Sequence, residues 1–288
     1  MQRLAGRGRA LLCVFALALP MAACSDIRMP DIPFMGKSEP PVESLTPQQI
    51  YLNAEALLAD GRPREAGEMF GEIERLYPYS DWAKRAMLMS AFAFHEGALY
   101  AESRAAAERY LEFFPADVDA PYAQFIIALS YYDQIVDIGR DQENTFQALQ
   151  EMRDIIERYP DSDYAASAQM KFELALDHLA GKEMEIGRYY LSRGHYTAAI
   201  NRFRVVVEEY QTTTQTPEAL HRLVEAYLSL GLVQEAQTAA AILGYNFQGT
   251  TWYAQSYALL TGRGLTPANT GDSWLNQTYR QVVKGEWR

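Results

Sequence analysis

Thiols are almost absent: Cys13 and Cys24 are the two cysteines in 288 residues. Cys13 lies in an apolar leader, so removal of that leader leaves Cys24 with no cysteine to pair with and excludes an internal disulfide. Histidine is scarce as well, with His95, His178, His195 and His221. None stands in a His-x-x-x-His pair, and no thiol remains to complete a zinc site. Basic residues are in deficit, 26 against 37 acids, for a formal charge of −11, which argues against nucleic acid as a partner. The apolar stretch at residues 10–19 is ten residues long, too short to anchor a chain across a bilayer. There is no Gly-x-Ser-x-Gly elbow and no phosphate-binding loop. The expectation is a protein with no catalytic residues, no metal and no cofactor.

What the chain does have begins with a leader. Arg3, Arg7 and Arg9 precede the apolar stretch, and Met21-Ala22-Ala23-Cys24 follows it. Small residues directly before a cysteine resemble a bacterial lipobox, which makes 1–23 a signal peptide and Cys24 the site of lipid attachment. Met21 stands where such boxes usually carry leucine. Three acyl chains exceed the two signals that firm anchoring needs. Loss of the leader takes the charge from −11 to −14, so the lipid rather than the protein surface would hold the chain at a membrane. Residues 24–45 contain Pro30, Pro33, Pro40 and Pro41 and read as a flexible tether, reaching up to roughly 65 Å if extended at about 3.1 Å per residue.

Beyond the tether an aromatic–proline pair keeps returning after Ala-rich helical stretches: Tyr77-Pro78, Phe114-Pro115 and Tyr159-Pro160, then Tyr210-Gln211 with the proline lost. Proline cannot continue a helix, so each pair marks a helix end. The intervals of 37, 45 and 51 residues are those of a helix-pair repeat, whose tetratricopeptide form is 34 residues long. In register, the first unit starts at Pro47 with Ala54, Ala66 and Phe70 at packing positions and Gly61 and Pro63 in its turn. The second has Ala91 and Phe94, with Ser103 and Ala107 in a less regular second helix. The third has Ala148 and a longer loop around residues 136–141. The fourth has Gly187, Tyr190, Ala199 and Phe203, with its first helix extended back to about Ser162. The fifth has Leu220, Leu223, Tyr227 and Ala236, with a turn at Leu230-Gly231. Small residues let antiparallel helices approach, and aromatics fill the groove above them. The predicted fold is all-α: a right-handed superhelical solenoid of about five tetratricopeptide-like helix pairs. Repeats 1–3 occupy 46–161, repeats 4–5 and a capping helix occupy 162–260, and 261–288 is a flexible tail with an aromatic segment able to dock on a partner or on the solenoid.

Stacked repeats bind proteins through exposed surfaces. Tyr77, Tyr79 and Trp82 cluster at the end of the first unit, each open to either interface or packing roles. Arg202, one step from the core position Phe203, falls off the core face and is an anchor or a plain solvated arginine. Asp177 and His178 are neighbours and point apart on a helix, so His178 reads as a solvated histidine. Glu183 and Glu185 read as ordinary carboxylates of a charged outer face, and His195 as a helix-start residue.

Tyr77-Pro78-Tyr79-Ser80, Tyr159-Pro160-Asp161-Ser162, Gly187-Arg188-Tyr189-Tyr190-Leu191-Ser192-Arg193-Gly194 and Ala198-Ala199-Ile200-Asn201-Arg202-Phe203 together resemble the BamD family, lipoproteins of the outer-membrane β-barrel assembly machinery. The Tyr-Tyr-x-x-Arg-Gly block followed by Asn-Arg is its most specific part. The resemblance implies lipid anchoring at the periplasmic face of the outer membrane, with Ser25 beside Cys24 in keeping with outer-membrane sorting. It implies that the N-terminal half receives unfolded barrel precursors, with Tyr77, Tyr79 and Trp82 as candidates. It implies that the C-terminal half docks on the BamA-type insertase through Arg202, with Arg193 and Tyr190 beside it, and that other assembly lipoproteins attach. Gln211 and the long tail depart from the family pattern. A periplasmic adaptor for pilus or cell-wall assembly, built on the same repeats behind a lipobox, is the alternative.

Overall fold

The computed structural model describes residues 41–268 together with Trp274, Leu275 and Gln277. The leader, Cys24, most of the tether and the rest of the tail lie outside the described residues. Eleven α-helices follow a short 3₁₀ turn at Val42–Ser44, and no strand occurs among the described residues. They pair in chain order: α1 (Pro47–Ala59) with α2 (Pro63–Leu76), α3 (Asp81–Glu96) with α4 (Tyr100–Phe113), and α5 (Ala120–Tyr132) with α6 (Glu143–Arg158). Then come α7 (Ala165–Ser192) with α8 (Tyr196–Glu209), α9 (Thr216–Ser229) with α10 (Val233–Phe247), and α11 (Thr251–Thr261) as a cap. Each helix packs on the next, and the odd-numbered helices also touch one another in succession. That pattern is a tetratricopeptide-like solenoid with two helical layers.

The local chemistry explains the helix limits. Thr46 caps α1 by accepting from the Gln49 amide while the Gln49 side chain accepts from the Thr46 amide, and Pro47 takes the first helical position. Tyr77, Phe114 and Tyr159 end α2, α4 and α6 at φ near −130°, outside the α region that a residue before proline avoids. Tyr210 ends α8 in the same conformation without a proline. Side chains replace the ring there. The Tyr210 carbonyl accepts from the Thr213 and Thr216 hydroxyls at 2.7 and 2.9 Å. Asp177 reaches across from α7 to accept from the Thr214 amide and hydroxyl at 2.8 and 2.5 Å. The long α7 is thus what holds the turn that lost its proline. Its extension also covers the loop after α5, where Lys182 donates to the Arg140 carbonyl.

Most packing positions read from the repeat are buried, among them Ala54, Ala66, Phe70, Ala91, Ala148, Ala199, Phe203, Leu223 and Ala236, while Phe94 and Tyr190 are partly buried. Glycine marks the closest approaches. A Cβ on Gly67 would lie 2.8 Å from the Phe94 ring, on Gly187 2.4 Å from Phe203, and on Gly244 2.5 Å from Tyr253.

Two assignments made from composition are corrected at their edges. The tether does not run to residue 45: Val42 and Leu45 pack on the first repeat, and the Tyr77 hydroxyl donates to the Leu45 carbonyl at 2.7 Å. Two apolar side chains and the Leu45 carbonyl suffice to dock the last residues of the tether. In 261–288 the aromatic segment, expected to dock on a partner or on the solenoid, meets the solenoid at the described residues. Gln237 donates to the Thr266 carbonyl at 2.7 Å, Trp274 Nε1 donates to the Tyr227 hydroxyl at 3.0 Å, and Leu275 is buried in the C-terminal core.

The turn between α4 and α5 carries a buried-edge ionic lock. Asp117 accepts from Lys84, from the Tyr110 hydroxyl at 2.7 Å and from the Asp119 amide at 3.1 Å. These donors, Lys84 first, hold its carboxyl at about 2, below the usual 3.8. A carboxylate depressed on folding stabilises above its unfolded value, and that contribution is lost as pH falls through the folded value. Asp117→Asn should therefore cost about 1–2 kcal/mol near pH 6, discounted for partial exposure. The gap from the parent, followed by thermal melts, should close between about pH 4 and pH 2; a gap independent of pH would show that the charge is not what matters.

Candidate partner-binding groove

The fourth repeat builds the groove. α7 ends at Ser192, the chain reverses through Arg193 and Gly194, and α8 starts at Tyr196. Gly194 takes φ +74°, a left-handed conformation that glycine enters without a Cβ clash. Below the turn, the Phe203 ring lies directly on Gly187, drawing α7 and α8 together. Tyr190 from α7 and Arg202 from α8 then line one hollow of ≈ 280 Å³ with Ala198, Asn201 and Val205. Tyr190 and Ala198 also line a neighbouring hollow of ≈ 500 Å³ with His195, Tyr196, Thr197 and Leu230. The two form a trough along the turn, polar at the Arg202 end and aromatic at the other.

Of the residues singled out from sequence, Tyr190 and Arg202 are brought together. Arg193 is not in the trough: its guanidinium stacks over the Tyr189 ring, 4.4 Å from the centroid. Tyr189 in turn meets Tyr190 edge to face at 5.6 Å and is half exposed. Arg202 is neither buried nor plainly solvated. Its Nη1 donates to Glu183 Oε2 at 3.0 Å, with side chains 43% and 18% exposed respectively. Glu183 had read as an ordinary outer-face acid. The sign was present in the chain, since Glu183 and Arg202 stand almost equally far either side of the Arg193 turn and an antiparallel pair sets them level.

At the other end of the solenoid the three aromatics separate. Tyr77 is tied to Leu45, and Trp82 packs against Tyr51 at 5.0 Å in the first cluster. Tyr79 alone is fully exposed, and Phe113 and Val118 project at the following inter-repeat turn, a pair that the repeat register did not flag.

The histidines hold one correction. His178 is not simply solvated, for its Nε2 is buried with no hydrogen-bond partner among the described residues. His221 is buried, 2.8 Å from the Ser256 hydroxyl through Nδ1 and 3.6 Å from Glu225 through Nε2, under the Trp252 ring. Ser256 is itself fully buried on α11, so this contact joins the cap to α9 and offers no surface for a substrate. Among the described residues no group of three or more His, Cys, Asp or Glu is placed to hold a metal ion. No described helix is long and apolar enough to cross a membrane.

A family profile described as outer membrane lipoprotein, YfiO, matches residues 43–242. The chain belongs to this family. The YfiO match opens at the 3₁₀ turn and closes inside α10, so the groove lies wholly within it while α11 and the docked tail lie beyond. Similar proteins carry the name outer membrane protein assembly factor BamD. The one from Caulobacter vibrioides is 44% identical over 266 residues, spanning 91% of this chain and 84% of that protein. The one from Rickettsia prowazekii is 40% identical over 211 residues, 73% of this chain and 84% of that protein. The one from Neisseria meningitidis serogroup A is 27% identical over 247 residues, 82% and 91%.

Proposed function

We propose that this member of the YfiO family is a non-catalytic scaffold in outer-membrane protein assembly. The observation that carries the reading is the Tyr190–Arg202 trough on the fourth repeat, in a chain whose relatives are named as assembly factors. Lipid on Cys24 anchors it at the periplasmic face. The fourth repeat receives the BamA-type insertase: Tyr190 and Arg202 supply the aromatic and the guanidinium that most often anchor interfaces, and Arg193 orders Tyr189 at the rim. The N-terminal half receives unfolded barrel precursors, with Tyr79 as the available contact. No bond is made or broken. Binding a precursor at one end and the insertase at the other raises the local concentration of each for the other.

Affinity purification of the full-length lipoprotein from detergent-solubilised outer membrane, with partners identified by mass spectrometry, tests this. The insertase and other assembly lipoproteins are expected. Arg202→Glu should lower insertase recovery at least about 10-fold, because it sets a second carboxylate against Glu183 and the partner loses its guanidinium. Circular dichroism should be unchanged. Recovery of pilus or cell-wall proteins in place of the insertase would establish the adaptor reading.

A further inference from the structure

Building on that reading of the trough, we propose that Glu183 is a positioning residue of the partner site, holding Arg202 in the orientation that the partner meets. An arginine is rotamer-rich and gives up that freedom on binding unless it is already held. Glu183 holds it at one corner. It accepts from Nη1 at 3.0 Å, and among the described residues the guanidinium makes no other hydrogen bond. The other donors of a planar five-donor fork are left open.

The neighbouring arginines face other surroundings, and Arg188 lines a separate hollow with Arg222. Arg204 on the same helix donates to Glu208 at 2.8 Å and lies 4.5 Å over the Trp274 ring. Arg188 is bound by Glu218 at 3.0 Å, and Arg222 by both Glu218 and Glu225. Arg202 is the arginine of this repeat that lines the hollow with Tyr190; Arg193 stacks over Tyr189 outside it. Glu183 is well placed for the task because it is the less exposed partner and sits on the opposite helix of the pair. Burial first and the Glu183 charge second push the Tyr210 hydroxyl up. The contact therefore spans α7 and α8 and does not depend on the tip of the turn.

The experiment measures binding of the full-length lipoprotein, in detergent, to the purified periplasmic region of the BamA-type insertase. Four proteins are compared: parent, Glu183→Gln, Arg202→Ala and the double variant. Glu183→Gln should bind about 3- to 10-fold more weakly, with an unchanged thermal melt. In the Arg202→Ala background the same change should do nothing, which a merely structural role for Glu183 would not produce. If Arg202→Ala binds like the parent, the reading of the trough fails and the inference fails with it. If Arg202→Ala weakens binding while Glu183→Gln leaves it equal or stronger, the trough stands and positioning by Glu183 is overturned.

Discussion

Phe203→Ala is expected to lower stability by about 3–5 kcal/mol, the usual cost of truncating a buried aromatic to a methyl. The ring is fully buried on the glycine face of α7, so its removal leaves a void that neither helix can fill without moving. Ile200, Val206 and Leu223 belong to the same cluster, and their contacts loosen with it. Because repeats are coupled chiefly to their neighbours, amide exchange should rise in α7, α8 and α9 before it rises in α1 and α2. The partner surface is affected as well, since Tyr190 and Arg202 stand on the two helices that this ring joins. Gly187→Ala makes the complementary test. Its added methyl would meet the ring at 2.4 Å, an overpacking cost of about 1–3 kcal/mol. Combined with Phe203→Ala the two should be clearly less than additive, because the lost ring makes room for the methyl. Urea denaturation of the parent and the three variants gives the coupling, and simple additivity would show that the glycine is not there for the ring.

Trp274→Ala should cost about 2–3 kcal/mol although it lies after the last repeat. Its indole N–H is a partner of the buried Tyr227 hydroxyl, its ring carries the Arg204 guanidinium, and the adjacent Leu275 is fully buried in the same core. Truncation removes apolar contact, a cation–π pair and the hydrogen bond at once. For a domain of this size the melting point should drop by roughly 4–12 °C at about 2–4 °C per kcal/mol. Release should also expose the chain near Arg263, whose guanidinium donates to the Leu228 carbonyl. Limited trypsin digestion should then cut there early. A variant that melts and digests like the parent would mean that the segment contributes nothing to the last repeat pair. Arg202 and Arg204 are two positions apart and face different ways on α8, so Trp274 meets this helix at Arg204 and not at the Arg202 side that lines the trough.

The aromatic–proline pairs, the small packing residues and the glycines were enough to place every helix pair. Each is a local rule: proline stops a helix, and a missing Cβ permits close contact. The loop before α6, the long α7 and the capping α11 could be read for the same reason. Composition misled where the outcome depended on distant partners. Val42 and Leu45 at the end of the tether dock because Tyr77 and the first cluster receive them, and of the two options for the aromatic tail segment, solenoid or partner, Tyr227 and Arg204 select the solenoid for Trp274. Likewise, which of Tyr77, Tyr79 and Trp82 remains exposed depends on Tyr51 and Leu45, residues far from them in the chain.

The sequence by itself determined the repeat, its register and the family, since these rest on residue types at fixed spacing. Only the tertiary structure decided that Arg202 is held by Glu183, that Asp177 stands in for the missing proline and that the tail braces the last repeats. Those are contacts between side chains from different helices, set by how the helices pack and not by the order of residues along any one of them.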